Sequence, residues 1–302
     1  MSSLDDQGPD MTASEPFSVI IPAHNEANVI ARCLNTILAD APSGGLEILV
    51  VCNGCTDDTA VRARAVSPMV RVIELDKGSK PLALNEGNAR AAHAIRLFVD
   101  ADIRVGFNAL AALARVLRSG RAKAASPALD VDLSAVSFPV RGYYRVWLQL
   151  PYVLDNMVGS GVFGLSPDGM ARIGEFPPII ADDEYVRTRF PSSERCLLRA
   201  DEQGRPVFFT IYPPRTLWSL IRVESRQRAG VAQLHEIYPS GETHRMTTWP
   251  ALFATLRKGA SLIDLGFFLL VKGVGRLHFQ FSRMRKLDHR WLRDETSRQI
   301  KA

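Results

Sequence analysis

The sequence predicts an α/β fold in which helices cover both faces of a mostly parallel β-sheet. Short apolar runs rich in β-branched residues alternate with helically spaced apolar residues over the first hundred positions, which is the pattern of successive strand–helix units. Each predicted strand in this region is followed by a polar cluster. The chain has 302 residues, 46% hydrophobic and 23% charged, so it can bury the core of one large domain or two small ones.

The first half of the chain contains the four predicted strands and the helices that connect them. Helices are expected over 29–38, 56–65, 82–93 and 107–118. Pro81 is tolerated at the start of the third helix, because the first turn does not need its missing N–H. The strands are expected at 17–21, 46–51, 70–75 and 95–99.

The second half of the chain is less regular. An extended piece at 122–129 is followed by an aromatic-rich helical segment ending near Pro151, whose side chains we expect to pack in the core. Residues 159–165 are predicted to form a glycine-rich strand, which indicates close approach of another backbone or of a ligand. Further helices are expected from Ser166 and over 217–228.

The polar clusters at the strand ends indicate a binding site. The carboxyl ends of parallel strands meet at one edge of a sheet, where α/β proteins bind their ligands. We therefore expect the clusters to lie close together at this edge. They contain Asn25 and Glu26, residues 53–58, residues 77–80, and Asp100 with Asp102.

Asp100 and Asp102 follow the fourth predicted strand. Side chains alternate along an extended segment, so both carboxylates point the same way. Two hard oxygen ligands suit Mg²⁺ or Mn²⁺, whose coordination is completed by water and phosphate oxygens; a solvated acidic loop is the alternative. The sequence contains no GxGxxG and no GxxxxGK[ST] motif, so a diphosphate would be bound through a metal and not in a glycine-rich loop.

Charge and cysteine content restrict the partners and the compartment. The net charge of +5 and the pI near 9.2 favour anionic partners such as nucleotide diphosphates, nucleic acid or acidic lipid. The four scattered cysteines, which include a CxxC at Cys52 and Cys55, are too few for a disulfide framework and predict a reducing cytoplasm. Residues 1–15 are polar, do not form a signal peptide, and are expected to be disordered.

Basic residues are concentrated after position 271, next to the apolar segment 262–271. That segment is shorter than the roughly 18–20 apolar residues that span a bilayer, so no transmembrane helix is predicted. Two interpretations stay open: a helix pair that closes the core, and an amphipathic helix that seats the protein on an anionic membrane surface. No nucleic-acid partner is expected, because the tail lacks interleaved aromatic residues.

Several motifs occur in order between residues 17 and 230: SVIIPAHNE (18–26), VVCNGCTDDT (50–59), KGSKPLALNEG (77–87), FVDAD (98–102), GSGVFGLSPDGMARIGEFP (159–177), ADDEY (181–185) and RQRAG (226–230). Together they resemble the motifs of the family 2 glycosyltransferases of the GT-A fold, which are inverting enzymes that use nucleotide sugars. The resemblance implies a GT-A domain over 16–235, with a mostly parallel Rossmann-like sheet flanked by helices. A basic, helical C-terminal extension over 236–302 would follow it.

The resemblance also implies which residues bind the donor. Pro22, Ala23 and Glu26 match the loop that contacts the nucleotide base and the ribose. Asn53 stands where the family usually has Asp, so a neutral amide oxygen would accept a hydrogen bond from a ring N–H of the base. Asp57 is available nearby.

Metal binding and catalysis are assigned in the same way. Asp100-Ala101-Asp102 is similar to the DXD motif of the family, so Asp102 would bind the Mn²⁺ or Mg²⁺ ion that bridges the diphosphate, and Asp100 would contact the ribose or the metal. Lys80 matches a basic residue near the phosphates or the base. Asp183 matches the catalytic base, and Asp182, one position earlier, is the alternative.

Arg226 and Arg228 lie in a degenerate form of the QxxRW motif of the family. A cationic contact to the diphosphate and a solvated basic helix are both open interpretations of these arginines. Processive synthases of the family carry the complete motif together with several membrane spans. We therefore expect a transferase that adds a single sugar.

The implied function is transfer of one sugar from a UDP- or GDP-linked donor to a hydroxyl acceptor, in envelope or extracellular glycan or glycolipid synthesis. We also expect the acceptor to be lipid-linked, and the protein to be cytoplasmic and peripheral on the inner membrane face. The alternatives are a non-catalytic nucleotide-binding or membrane-adaptor protein, and a nucleotidyltransferase of similar fold. The retained acidic motifs argue against the first, and the lack of a glycine-rich basic loop after the first strand argues against the second.

Overall fold

A mixed β-sheet lies at the centre of the protein. The computed structural model describes residues 16–154, 160–238, 248–284 and 296–298. Within these residues the sheet has nine strands, ordered β3-β2-β1-β4-β7-β6-β9-β5, with β8 paired to β6. The strands are β1 (Phe17–Ala23), β2 (Leu46–Asn53), β3 (Val70–Leu75), β4 (Arg96–Val99), β5 (Arg104–Val105), β6 (Ala124–Val131), β7 (Val162–Leu165), β8 (Arg195–Leu198) and β9 (Phe208–Ile211).

The four predicted parallel strands form one half of this sheet. β3, β2, β1 and β4 are parallel neighbours, as the strand–helix alternation predicts. β7 then pairs antiparallel with β4 and with β6, and β5 pairs antiparallel with β9. The prediction of a mostly parallel sheet is confirmed, and β7 reverses the strand direction next to the predicted metal-binding loop.

Helices cover both faces of the sheet, and further helices follow it in the chain. They are α1 (Ile30–Leu38), α2 (Thr59–Val66), α3 (Lys80–Arg90), α4 (Phe107–Arg118), α5 (Phe138–Trp147), α6 (Pro151–Leu154), α7 (Pro167–Ile173), α8 (Asp182–Arg189), α9 (Leu217–Ile237), α10 (Trp249–Arg257) and α11 (Leu262–Met284).

Some boundaries differ from the expectation for local reasons. α3 begins at Lys80 and not at Leu82, because the Ser79 side chain accepts a hydrogen bond from the Leu82 N–H (3.4 Å) and caps the helix. It ends at Arg90, three residues before His93. α9 and α11 both run well past their predicted ends. The last turns of α9 pack against Ile180 and the second core, and the later turns of α11 pack against the first half of α9.

The apolar runs of the strands are continuous because both faces of the sheet are buried. Val19 and Ile21 of β1 point into one core with α1 and α4. Ile20 points into a second core, which contains apolar residues of α3, α7 and α8. The two cores hold the strands in register, and the carboxyl ends of β1, β2 and β4 therefore open on one edge of the sheet.

α5, α9, α10 and α11 share a third apolar core. Tyr143 of the aromatic-rich segment stacks on Phe268 of α11, with 5.3 Å between the ring centroids. Gly275 of α11 allows close approach to α9, since a Cβ there would lie 2.8 Å from Glu224 Cγ. The aromatic segment is core, as predicted. No helix in the described part of the chain is long and apolar enough to cross a bilayer.

Gly169 packs α7 directly against main chain. A Cβ at this position would lie 2.4 Å from the carbonyl oxygen of Lys123. We expect Gly169→Ala to lower the free energy of unfolding by about 1–3 kcal/mol, the usual cost of overpacking a core, as measured by denaturant titration with circular dichroism.

Gly273→Ala in α11 is the matched control, because a Cβ there meets nothing within 4 Å. It should raise the free energy of unfolding by about 0.5–1 kcal/mol through higher helix propensity. Equal effects of the two substitutions would contradict the packing described for Gly169.

Candidate functional site

The Asn53 side chain joins the ends of β1 and β2 to the start of α3. Its Nδ2 donates to the carbonyl oxygen of Ala23 (2.8 Å), and its Oδ1 accepts from the N–H of Ser79 (2.9 Å). Asn53 is buried, as are Pro22 and Ala23 at the end of β1. Main-chain groups therefore engage both ends of this amide, and two of the predicted polar clusters meet at it.

The loop after β1 is fastened to the start of α2 by Asp57. The Glu26 N–H donates to the Thr59 hydroxyl (2.8 Å), and the Ala27 N–H donates to Asp57 Oδ2 (3.2 Å). Asp57 Oδ1 accepts from the N–H of Thr59 (3.0 Å) and from its hydroxyl. Both oxygens of Asp57 thus hold the loop that carries Glu26.

Lys80 connects two acidic motifs that are far apart in the sequence. Its Nζ lies 2.8 Å from Asp100 Oδ1 and 2.9 Å from Asp182 Oδ2. Burial acts to lower the pKa of Lys80, but Asp100, Asp182 and Asp183 outweigh it and hold that pKa well above its usual value. Lys80 is therefore a fixed cation between the strand edge and α8.

The two oxygen atoms of the Asp183 carboxyl group have different surroundings. The N–H of Ser160 donates to its Oδ2 (2.8 Å), whereas its Oδ1 is buried and has no hydrogen-bond partner within the described residues. Burial, and next the adjacent Asp182 carboxylate, raise the pKa of Asp183 to about 7 against the opposing effect of Lys80. A carboxyl group of this kind can accept a proton near neutral pH.

The glycine-rich segment before β7 holds both acidic motifs through its main chain. Ser160 and Gly161 have φ values of 64° and 114°, which turn the Ser160 N–H towards Asp183 while the Gly161 carbonyl oxygen accepts from the Asp100 N–H (2.8 Å). A β-branched residue could not adopt these angles without strain. The sequence prediction of close approach at this segment is borne out by backbone contacts.

α9 places the segment that leads into α8. Gly230 of α9 lies against Ile180 and Ala181, where a Cβ would come within 3.0–3.1 Å of their atoms. The Gln233 Oε1 accepts from the Ile180 N–H (3.0 Å). Gly230 of the RQRAG motif therefore lets α9 pack closely against the segment that precedes Asp182 and Asp183.

Asp102 and Glu26 share one arginine from the end of the chain. Arg298 Nε lies 2.7 Å from Glu26 Oε2, and its NH2 group lies 3.3 Å from Asp102 Oδ2. Arg32 donates to the carbonyl oxygen of Asp102 (3.1 Å). Glu26 and Asp102, which lie in the loops after β1 and β4, are thus close enough to bind one ligand together.

Arg228 lies in a different cluster. It pairs with Glu224 (3.0 Å) and donates to the carbonyl oxygen of Lys272 (3.4 Å), and the Lys272 Nζ lies 2.9 Å from the same Glu224. Glu224 is buried, so Arg228 stabilises the contact between α9 and α11. Arg226 lies two residues earlier, about 200° around the helix, and is half-exposed.

The acidic cluster can accept a divalent cation, but it does not form a complete cage. No group of three or more His, Cys, Asp or Glu side chains in the described residues is arranged to hold a metal. Asp100 and Asp102 offer hard oxygen atoms, and a cation bound there would need water or phosphate oxygens as further ligands. The cluster consists of Glu26, Asp100, Asp102, Asp182 and Asp183, paired with Lys80 and Arg298.

The structure brings together most of the residues singled out from the sequence, and it adds three. Ser160, Gly230 and Arg298 carry no signal of their own in the sequence, although the first two lie in motifs that were matched. Only the fold places Arg298 next to Glu26, since the two are 272 positions apart.

Comparisons with known proteins agree with this architecture. The family model described as "Glycosyl transferase family 2" matches residues 18–167. The glycosyltransferase AglE of Haloferax volcanii is 39% identical over 98 residues, which are 30% of this chain and 32% of AglE. The match thus spans about a third of that relative.

Two solved structures share the fold. The mannosyltransferase PcManGT from Pyrobaculum calidifontis, in complex with GDP-Man and Mn²⁺, has a TM-score of 0.58 and 22% identity, covering 95% of this chain and 87% of its own. Glucosyl-3-phosphoglycerate synthase from Mycobacterium tuberculosis, in complex with Mg²⁺ and UDP, has a TM-score of 0.53 and 20% identity, covering 74% and 79%. From the matched motifs, the sheet order and these comparisons, we conclude that residues 18–167 belong to glycosyltransferase family 2 and that the chain has the GT-A fold.

Proposed function

We propose that the protein transfers a single sugar from a nucleotide diphosphate sugar to a hydroxyl acceptor, with inversion at the anomeric carbon. The observation that carries this proposal is Asp183, a carboxyl group whose buried Oδ1 has no hydrogen-bond partner in the part of the chain that the structure describes. It lies beside the Lys80–Asp100 pair, at the carboxyl ends of the parallel strands, where α/β proteins bind their ligands. The match of residues 18–167 to the family model supports a sugar nucleotide as the donor.

The loops after β1 and β2 are suited to hold the nucleotide. They are tied to each other by Asn53, Asp57 and Thr59, so the loop that carries Glu26 is pre-organised and loses little entropy on binding. Since two structural neighbours were solved with GDP-Man and with UDP, we infer a GDP- or UDP-linked donor. We assign Asn53 to positioning these loops, because its amide is engaged by main-chain groups.

We propose that Asp102, assisted by Asp100, holds a divalent cation, Mn²⁺ or Mg²⁺. The two carboxylates fit such an ion, because they supply hard oxygen atoms and leave coordination positions for phosphate oxygens. The ion would neutralise the charge that develops on the departing nucleoside diphosphate. Lys80 contributes a fixed positive charge next to Asp100 and so complements the same leaving group.

Asp183 is the proposed catalytic base. The acceptor hydroxyl oxygen attacks the anomeric carbon while the bond from that carbon to the diphosphate oxygen breaks, and the bonding electrons leave with the nucleoside diphosphate. The hydroxyl proton passes to Asp183 Oδ1, while the Ser160 N–H holds Oδ2 and orients the carboxylate. Asp182 is less suited to this role, because its carboxylate is paired with Lys80.

The first prediction concerns the metal. With Mn²⁺, the protein should release nucleoside diphosphate from at least one of a panel of UDP- and GDP-sugars, and EDTA should abolish the release. Asp102→Asn should reduce turnover about 100-fold or more, because it removes charge from the proposed ion site. The measurement is a coupled assay of nucleoside diphosphate release.

Asp40→Asn serves as the control, since Asp40 is an exposed acid after α1 and its neutralisation should leave turnover unchanged. Intact turnover in Asp102→Asn would refute the metal assignment. If wild-type protein binds nucleotide but releases no product with any donor or metal, a non-catalytic nucleotide-binding role replaces the transferase proposal.

The second prediction concerns Asp183. Its folded-state pKa of about 7 lies above the unfolded value of 3.8, so its contribution to the free energy of unfolding is present below pH 4 and is lost as the pH rises to about 7. Asn at this position does not titrate and can still accept from the Ser160 N–H. In metal-free protein, the Tm of Asp183→Asn minus that of wild type should therefore increase between pH 5 and pH 8.

The same variant should bind donor and lose transfer. Asp182→Asn is the comparison, because it alters the neighbouring carboxylate that pairs with Lys80. Retained transfer in Asp183→Asn together with loss in Asp182→Asn would move the base to Asp182. A Tm difference that stays constant with pH would contradict the raised pKa.

We also propose that α10 and α11 seat the protein on the anionic, cytoplasmic face of a membrane, which implies a lipid-linked acceptor. α11 has two apolar faces. One packs in the third core through Leu265, Phe268 and Val271. The other is exposed and covers an arc of about 120° at 100° per residue. The exposed apolar residues of α11 are Leu262, Ile263, Leu269, Leu270, Leu277, Phe281 and Met284, and those of α10 are Trp249 and Phe253.

Basic side chains next to this apolar face favour a membrane over a second copy of the chain. Arg257, Arg276 and Arg283 are exposed on the same two helices, and the exposed Lys258 directly follows α10. In a two-fold dimer this face would meet itself and oppose its own positive charges. An anionic lipid surface instead accepts the apolar side chains and attracts each basic residue by about 1 kcal/mol.

The third prediction compares Leu277→Gln with Val61→Gln, because the two side chains are 66% and 64% exposed but only the first is on α11. Leu277→Gln should weaken binding to vesicles of phosphatidylglycerol and phosphatidylcholine about tenfold, as expected for losing one buried leucine. Val61→Gln should bind like wild type. Flotation is the measurement.

Pure phosphatidylcholine vesicles and added salt should both weaken wild-type binding. No flotation of wild type, or equal binding by the two variants, would end the membrane proposal. A concentration-dependent dimer in sedimentation velocity, abolished by Leu277→Gln, would assign the apolar face to a second copy instead.

A further inference from the structure

A guanidinium group lies where the proposed divalent cation would bind. Arg298 contacts Glu26 Oε2 at 2.7 Å and Asp102 Oδ2 at 3.3 Å. The Arg298 side chain is 14% exposed and that of Glu26 is 6% exposed, so this is a largely desolvated ion pair and not a surface contact. Such a pair forms only where the geometry repays the loss of hydration.

The segment that carries Arg298 has a second attachment. The N–H of Arg215, just before α9, donates to the Thr296 hydroxyl oxygen (2.9 Å). Residues 296–298 are thereby held between the start of α9 and the loops after β1 and β4. The position of Arg298 is thus supported from two sides.

Arg298 and a divalent cation would compete for the negative charge of Asp102. A metal ion binds carboxylate oxygens at about 2.0–2.2 Å, and two cations that share one carboxylate repel each other strongly at that range. Glu26, in contrast, keeps Arg298 at 2.7 Å without involving Asp102. The guanidinium group can therefore leave Asp102 while it stays bound to Glu26.

We infer that Arg298 is a counter-cation of the donor site that competes with the divalent cation for Asp102. In the absence of donor it neutralises Glu26 and Asp102 and weakens metal binding. When metal and donor bind together, the phosphate oxygens supply the further ligands that make displacement of Arg298 from Asp102 favourable. Arg298 thereby couples metal binding to donor binding. This inference rests on the proposed function for the role of Asp102.

Mn²⁺ binding to the full-length, nucleotide-free protein, followed by electron paramagnetic resonance, tests the inference without turnover. Arg298→Gln should bind Mn²⁺ about five- to tenfold more tightly than wild type, because a competing charge is removed. Arg298→Lys should resemble wild type. The matched control is Arg276→Gln, which removes the same charge from an exposed position on α11 and should leave the affinity unchanged.

Two further measurements separate this role from a merely structural one. A structural ion pair would lower the Tm of Arg298→Gln without tightening Mn²⁺ binding. If that variant fails to fold, Glu26→Gln combined with Arg298→Gln removes both charges of this ion pair and should also bind Mn²⁺ more tightly than wild type. Adding GDP or UDP should reduce the difference between wild type and Arg298→Gln, because donor phosphates then assist the metal.

Unchanged or weaker Mn²⁺ affinity in folded Arg298→Gln would overturn the inference. Tighter Mn²⁺ binding in a protein that turns over no sugar nucleotide would support the inference and refute the proposed function. The two failures are therefore distinguishable.

Discussion

The contact on which the site depends is the Lys80 ammonium between Asp100 and Asp182. It joins the end of β4 to the start of α8, two segments that belong to different halves of the chain. Without a fixed cation, Asp100, Asp182 and Asp183 would concentrate negative charge in a partly buried place, and their repulsion would open the site. Lys80 lies in the first turn of α3, which Ser79 caps. The Ser79 N–H in turn donates to Asn53, so Asn53 helps to fix the position of Lys80.

The acidic groups around Lys80 differ because their environments differ. Asp182 is paired with the ammonium group, whereas Asp183 has a buried oxygen with no hydrogen-bond partner among the residues described and a pKa raised to about 7. Asp102 is held by Arg298 in the same way that Asp100 is held by Lys80. Main-chain groups at Ser160 and Gly161 and the close approach of Gly230 keep these side chains in place. The site is thus built from rigid backbone, which suits a reaction that depends on orientation.

The parallel half of the sheet and the acidic edge were predictable because their signals are local. Each strand is a short apolar run, and each polar cluster directly follows one, so a few neighbouring residues encode both. The reversal at β7 was not predictable, because a glycine-rich strand carries no sign of its pairing direction. The contacts of Arg228 with Lys272 and of Arg298 with Glu26 were not predictable either, since the residues of each pair are 44 and 272 positions apart. Such contacts depend on how helices and loops pack.

Calorimetric titration of the protein with UDP and with GDP, in EDTA and in Mn²⁺, tests the central claim most directly. If the acidic strand ends bind a nucleotide diphosphate through a divalent cation, at least one of the two nucleotides should bind tenfold or more tightly with Mn²⁺. Asp102→Asn should remove that difference. Equal affinity with and without the ion, in protein that binds nucleotide, would contradict the claim.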